Sequence, residues 1–65
     1  MKIHYFEETD TLLIEFNEAE VWETVKINQN TYADYARDGQ VVSLTLEHAA
    51  QSTDVNSMLF AKVPA

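Results

Sequence analysis

Carboxylates and histidines are the side chains of this chain most capable of chemistry, and their spacing decides what they could do. Glu7, Glu8 and Asp10 crowd one short segment, Glu18, Glu20 and Glu23 another, and Glu15 stands among apolar residues. Hydrolysis of a glycosidic bond needs two carboxylates roughly 5 to 10 Å apart across a cleft, one of them desolvated. Carboxylates gathered in turns of a 65-residue chain have no deep cleft to desolvate them, so they are expected in solvent. A calcium loop needs alternating oxygen ligands, a sharp glycine turn and a Glu about twelve positions from the first ligand. Glu7-Glu8-Thr9-Asp10 lacks that frame. His4 and His48, in a chain without cysteine, cannot alone complete a tetrahedral zinc site. Together with Glu47 they could approach one another only if strands one and five were neighbours, or share a site across a symmetry axis. Ser43, Ser52 and Ser57 lack the strained Gly-x-Ser-x-Gly turn of a hydrolase nucleophile, and a single glycine, Gly39, cannot build a phosphate-binding loop. No catalytic residue and no cofactor is expected.

Composition narrows the classes further. Eleven acidic against four basic residues give a formal net charge of -7. Affinity for nucleic acid comes largely from cations that displace condensed counterions, so a nucleic-acid partner is disfavoured. The same imbalance opposes docking on an anionic membrane, and no apolar run approaches the roughly 20 residues of a spanning helix. Met1-Lys2-Ile3-His4-Tyr5 lacks the apolar stretch of a signal peptide, which makes the cytoplasm the expected compartment. A chain this short, without disulfides, seldom buries enough apolar surface alone, and self-association is the usual remedy.

The elements that must position these residues are strands. Ile3 and Tyr5 alternate with Lys2 and His4; Leu12, Ile14 and Phe16 alternate with Thr11 and Glu15; Val25 and Ile27 alternate with Thr24 and Lys26; Val42, Leu44 and Leu46 alternate with Ser43 and Thr45. That two-residue period is the mark of half-buried strands. Punctuation falls at Glu7 to Asp10, Asn17 to Ala19, Asn28 to Asn30 and Arg37 to Gln40. Asp38-Gly39 is the strongest hairpin signal and joins a strand Thr31 to Ala36 to a strand Val41 to Glu47. Connections this short predict a mainly β fold, a small antiparallel five-stranded meander over residues 1–51. For residues 52–65 the spacing of Val55, Met58, Leu59 and Lys62 after Ser52-Thr53-Asp54 predicts a short C-terminal helix closed by Pro64. The alternative is a swapped tail, a strand over Ser57 to Val63 that pairs with a neighbouring protomer.

The frame Met1-Lys2-Ile3-x-Tyr5, Asp10-x-Leu12-x-Ile14-x-Phe16, Asp34-Tyr35-x-x-Asp38-Gly39-x-Val41-Val42-x-Leu44-x-Leu46 and Ala49 resembles the domain of unknown function 2283 family over residues 1 to about 51. The resemblance implies a small, mostly β protein of prokaryotic or phage type and carries over no catalytic or ligand-binding residue. Family members are often encoded near small toxin-like proteins, which implies an antitoxin or partner-binding role. Phe6-Glu7 stands where the family usually has an Asp-Pro turn, Ala36 replaces a common acidic residue, and the tail from Ser52 lies outside the match.

One strand face, carrying Ile3, Tyr5, Leu12, Ile14, Phe16, Val25, Ile27, Ala33, Tyr35, Val42, Leu44 and Leu46, is the expected core face. The opposite parity carries Phe6, Leu13, Trp22 and Val41 among polar residues. Large apolar groups on a face that one small sheet cannot bury point to an interface, and Trp is enriched at binding hot spots. Self-association is therefore expected through Trp22, Phe6 and Leu13, and docking of the tail through Met58, Leu59 and Phe60. The expected function is a non-enzymatic, acidic protein-interaction module that forms a homo-oligomer and binds a basic protein, as an antitoxin would. The alternative is a small-ligand or metal-binding protein whose site, with His4, His48 and Glu47 as ligands, forms at a subunit boundary.

Overall fold

The computed structural model describes residues 1–64. Five strands, β1 (Lys2–Phe6), β2 (Thr11–Glu15), β3 (Glu23–Lys26), β4 (Thr31–Tyr35) and β5 (Val41–Glu47), are followed by a single-turn helix α1 (Ala49–Ser52). All strand pairs are antiparallel and form one open sheet. The mainly β fold expected from the alternation is therefore present, with strand bounds close to the apolar runs.

The strand order is β1-β2-β5-β4-β3, which departs from a simple meander. The hairpins β3-β4-β5 fold back so that β5 lies beside β2, the Greek-key arrangement of three consecutive strands and a returning fourth. The physical reason is reach. β2 and β3 run in opposite directions, so their connection starts and ends at the same end of the sheet. It has only to cross three strand spacings of about 4.8 Å, well within the span of residues 16–22 at roughly 3.3 Å each. It is tied along the way, because the Phe16 amide donates to the Val42 carbonyl at 2.8 Å and the Trp22 amide to the Tyr35 carbonyl at 2.7 Å.

The Asp38-Gly39 hairpin forms as expected. Gly39 has φ +90°, a conformation that favours glycine. Its amide donates to the Ala36 carbonyl at 2.9 Å, and the Gln40 amide donates to the Asp38 carboxylate at 3.0 Å. Where β4 meets β5 the register slips by one residue, since Asp34 pairs with Ser43 but Tyr35 with Val41. This bulge leaves Val42 unpaired and turns Val41 to the side of Tyr35.

The chain after β5 differs from both expectations for it. The helix lies earlier, at Ala49–Ser52, and residues 57–64 adopt neither helix nor strand. Asp54 forms a local turn instead of capping a helix: its carboxylate accepts from the Asn56 amide at 3.0 Å and its carbonyl from the Ser57 amide at 3.3 Å. An isolated helix of two turns is marginal in water unless its apolar stripe is buried. Here Met58, Leu59 and Phe60 are exposed, so nothing among the described residues supports such a helix.

Burial is meagre. Among the described residues only Leu12, Ala33, Val42 and Ala49 are buried apolar residues, and no large side chain is fully enclosed. Apart from hairpin partners and sheet neighbours, no pair of elements packs extensively. The protein is one layer thick, 34 × 33 × 19 Å, whereas stable domains bury their sheet faces under a second layer.

Candidate interaction surface

Registry sorts the side chains into two unlike faces. Ile3 pairs with Ile14, Ile14 with Leu44, Leu44 with Ala33 and Ala33 with Val25. These five form an unbroken apolar row across all five strands. Beside it runs a second row, Tyr5, Leu12, Leu46 and Thr31. Among the described residues, charge reaches this face at two opposite corners, through Glu23, opposite Tyr35, and through Asp10, which accepts from the Tyr5 hydroxyl. The other face is polar, with Lys2, His4, Glu15, Ser43, Thr45, Asp34, Thr24 and Lys26 at the intervening positions.

The apolar face is the one the sequence marks as core, and it is covered unevenly, with Leu12, Ala33 and Val42 buried. Ile3 is 42 % exposed and Val25 38 % exposed, while Ile14 and Leu44 between them are half-buried. α1 docks at one corner of this face. There Asp10, with φ 51°, accepts a hydrogen bond from the Tyr5 hydroxyl at 2.6 Å and another from the Ala50 amide at 3.0 Å. Its carbonyl accepts from the Ala49 amide at 3.0 Å. His48 sits at the N-cap position with no side-chain hydrogen bond, so the first amides of α1 are satisfied from the β1-β2 turn instead. The Tyr5 hydrogen bond and the Ala50 amide, aided by charge on His48, hold the Asp10 carboxyl below its ordinary range. The same hydrogen bond to Asp10 pushes the Tyr5 phenol up. Sequence reasoning placed Asp10 in a solvated turn; only the long-range approach of residue 50 reveals its task.

On the polar face Asp34 joins three strands. One carboxylate oxygen accepts from the Thr24 hydroxyl on β3 and the other from the Ser43 hydroxyl on β5, each at 2.5 Å. Beside them the β2-β3 connection leaves an open hollow of about 360 Å³, lined by Leu13, Glu15, Val21, Asp34 and Ser43 among others. Ser43 donates to a carboxylate with no imidazole in the lining, which is not the arrangement of an activated nucleophile. The Asp34 bridge is structural, since Ser43 is only 5 % exposed and a buried hydroxyl without a partner costs about 1–3 kcal/mol. Asp34→Ala is expected to lose about that much in urea unfolding at fixed protein concentration. Adding Ser43→Ala to it should cost less than the two single losses added together.

The residues expected to drive self-association do not form one patch within a chain. Phe6, 51 % exposed, ends the edge strand β1 opposite Thr11, whereas Trp22, 64 % exposed, lies just before β3 at the far edge and the other end. The Arg37 guanidinium stacks 4.8 Å from the Trp22 ring centroid, and the Phe6 ring stacks on His4. Leu13 lies between them on β2, half-buried beside the hollow. In the tail Leu59 is 95 % exposed and Phe60 74 % exposed. The within-chain condition for a His4, His48 and Glu47 cluster is not met, because β2 separates β1 from β5. His4 instead faces Glu15 at 3.6 Å and His48 neighbours Asp10. Among the described residues no group of three or more acidic or histidine side chains is placed to hold a metal ion, and no helix is long and apolar enough to cross a membrane.

Neither a curated protein nor a solved structure matches the chain. The family model described as protein of unknown function (DUF2283) matches residues 2–49, which takes in every strand and the start of α1, including Asp10, Asp34 and the apolar row. The chain therefore belongs to the DUF2283 family.

Proposed function

We propose that this protein is a non-enzymatic interaction module that acts in the cytoplasm, self-associates, and as an assembly offers an acidic surface to a basic protein partner, in the manner of an antitoxin. The observation that carries this reading is the single-layer sheet whose apolar face has no second layer of strands or helices and leaves Ile3 and Val25 exposed on its outer strands. Exposed contiguous apolar surface of this kind marks interaction sites. The charge of -7, displayed on the turns and the polar face, favours a basic partner through electrostatic steering and complementarity.

Native mass spectrometry of the protein, isolated gently through a tag from its own host, tests both halves at once. The expected spectrum is a homo-oligomer carrying a stoichiometric basic protein. A bare single chain would refute self-association, and a bare oligomer would refute the partner. A constant extra mass of a metal or small molecule on the oligomer would favour a ligand site at the subunit boundary instead.

A further inference from the structure

We propose that the apolar face of the sheet is an interface with a second copy of this chain, packed face to face about a two-fold axis that passes close to Leu44 on β5. This rests on the self-association reading and adds the face, the occupant and the residue at the centre.

Area argues for the occupant. A folded monomer of 7.4 kDa is expected to expose about 4,200 Å², whereas this chain exposes 5328 Å². The excess, roughly 1,100 Å², exceeds the ~800 Å² that each partner contributes to a standard stable interface. The radius of gyration, 12.9 Å, likewise exceeds the ~10.7 Å of a compact chain of this length. The exposed tail, with Leu59 95 % and Phe60 74 % exposed, contributes to this excess, as do Ile3 and Val25 on the apolar face of the sheet, 42 % and 38 % exposed.

Chemistry argues for a second copy. The centre of the face is free of charge, with Glu23 at one corner and Asp10, held by Tyr5 and Ala50, at the opposite one, so two copies centred on Leu44 meet without an acidic group in the middle of the contact. Turns and the polar face, which hold the net negative charge, stay outside. Flat apolar sheet faces pack about 10 Å apart in sandwiches, with the inner side chains interdigitating. β5 is the middle strand of five, and Leu44 is the middle of the row. In a two-fold dimer the residue on the axis meets its own counterpart. The polar face is less suited, since the β2-β3 connection lies beside it and Asp34 and Glu15 stand on it.

The chain has no cysteine, so single thiols can be placed cleanly. Leu44→Cys and Thr45→Cys put a thiol on opposite faces of the same strand, and each is treated with a short bis-maleimide. The expected result is covalent dimer from Leu44→Cys and single chains from Thr45→Cys, in a parent of doubled native mass. Cross-linking through Thr45→Cys alone would overturn the proposal and assign the contact to the face that bears Leu13 and Phe6. A doubled parent mass with neither thiol linked would also overturn it, placing the contact at an edge strand, at Trp22 or in the tail. A parent of single-chain mass at all concentrations would instead remove the self-association reading itself, without reference to either variant. In case Leu44→Cys does not fold, the unmodified protein gives an independent readout. A soluble paramagnetic probe should leave the Ile3 and Val25 methyl signals protected, and relaxation of both at the rate of Val63 would overturn the proposal.

Discussion

Placing a charge at the centre of the apolar face, Leu44→Asp, will split the assembly into single chains. Leu44 stands mid-row, between Ile14 and Ala33, and in the face-to-face dimer its aspartate would be buried opposite a like charge. An unpaired buried charge costs about 3–5 kcal/mol, so the dissociation constant should rise by at least about a hundredfold. Sedimentation equilibrium at micromolar concentration reads this directly, with a fall to the single-chain mass. Because the freed chain has so small a core, circular dichroism should show part of its β signal lost as well. Val25→Lys, at the rim of the same face and 38 % exposed, should weaken association while keeping the sheet. Thr45→Asp, one residue from Leu44 on the polar face, should leave the mass unchanged. If Leu44→Asp retains the parent mass, the face assignment is wrong.

The second large effect is expected at Asp10, which holds α1 onto the sheet. Asp10→Ala removes the acceptor shared by the Tyr5 hydroxyl and the Ala50 amide. It also places an alanine at φ 51°, where Asp and Asn are better tolerated. Hydrogen exchange at Ala49, Ala50 and Thr53 should accelerate by more than about tenfold, while the amides of β4 and β5 keep their protection. Asp10→Asn keeps an oxygen acceptor and the tolerance of the left-handed conformation, so it should retain most of the protection. What it removes is the pH dependence. The Asp10 carboxyl has a folded value lowered from 3.8, so its contribution is present above about pH 4 and is lost as the pH falls through the folded value. The Tyr5 phenol is raised from 10.0, so its contribution is present below about pH 10 and lost as the pH rises through the folded value. The wild-type corner should therefore lose stability as the pH falls below about 4 and as it rises above about 10, and Asp10→Asn should flatten the acid limb. An unchanged acid limb in that variant would show that the charge on Asp10 does not hold the corner.

How far these features were legible depends on the range of the interaction behind them. The strands follow from two-residue alternation, clearest at Val42-Ser43-Leu44-Thr45-Leu46, because side chains on a half-buried strand must alternate between faces. The Asp38-Gly39 hairpin follows from local backbone preference. Strand order was not legible, since an antiparallel return needs only the length of residues 16–22, and short connections alone do not separate a meander from a Greek key. The bulge at Val42 was hidden because Val41 and Val42 are both apolar, so either could have been the inward residue. α1 was misplaced because its cap comes from Asp10, 40 residues away from Ala50, while the helical spacing of the tail had no surface to pack on. Of the acidic residues that invited a chemical reading, Asp10 and Asp34 are occupied in holding strands and helix together. The apolar face was recognised from its parity, but a core on that face presumes a second layer that the chain does not itself provide.

Small-angle X-ray scattering of the purified protein tests the central claim most directly, because mass and shape come from one curve. A single chain measures 34 × 33 × 19 Å, and stacking two along the short axis gives a particle of doubled mass with three similar dimensions. That is the predicted result. A single-chain mass, or a doubled mass with one axis close to twice the length of the sheet, would contradict a second copy covering the apolar face.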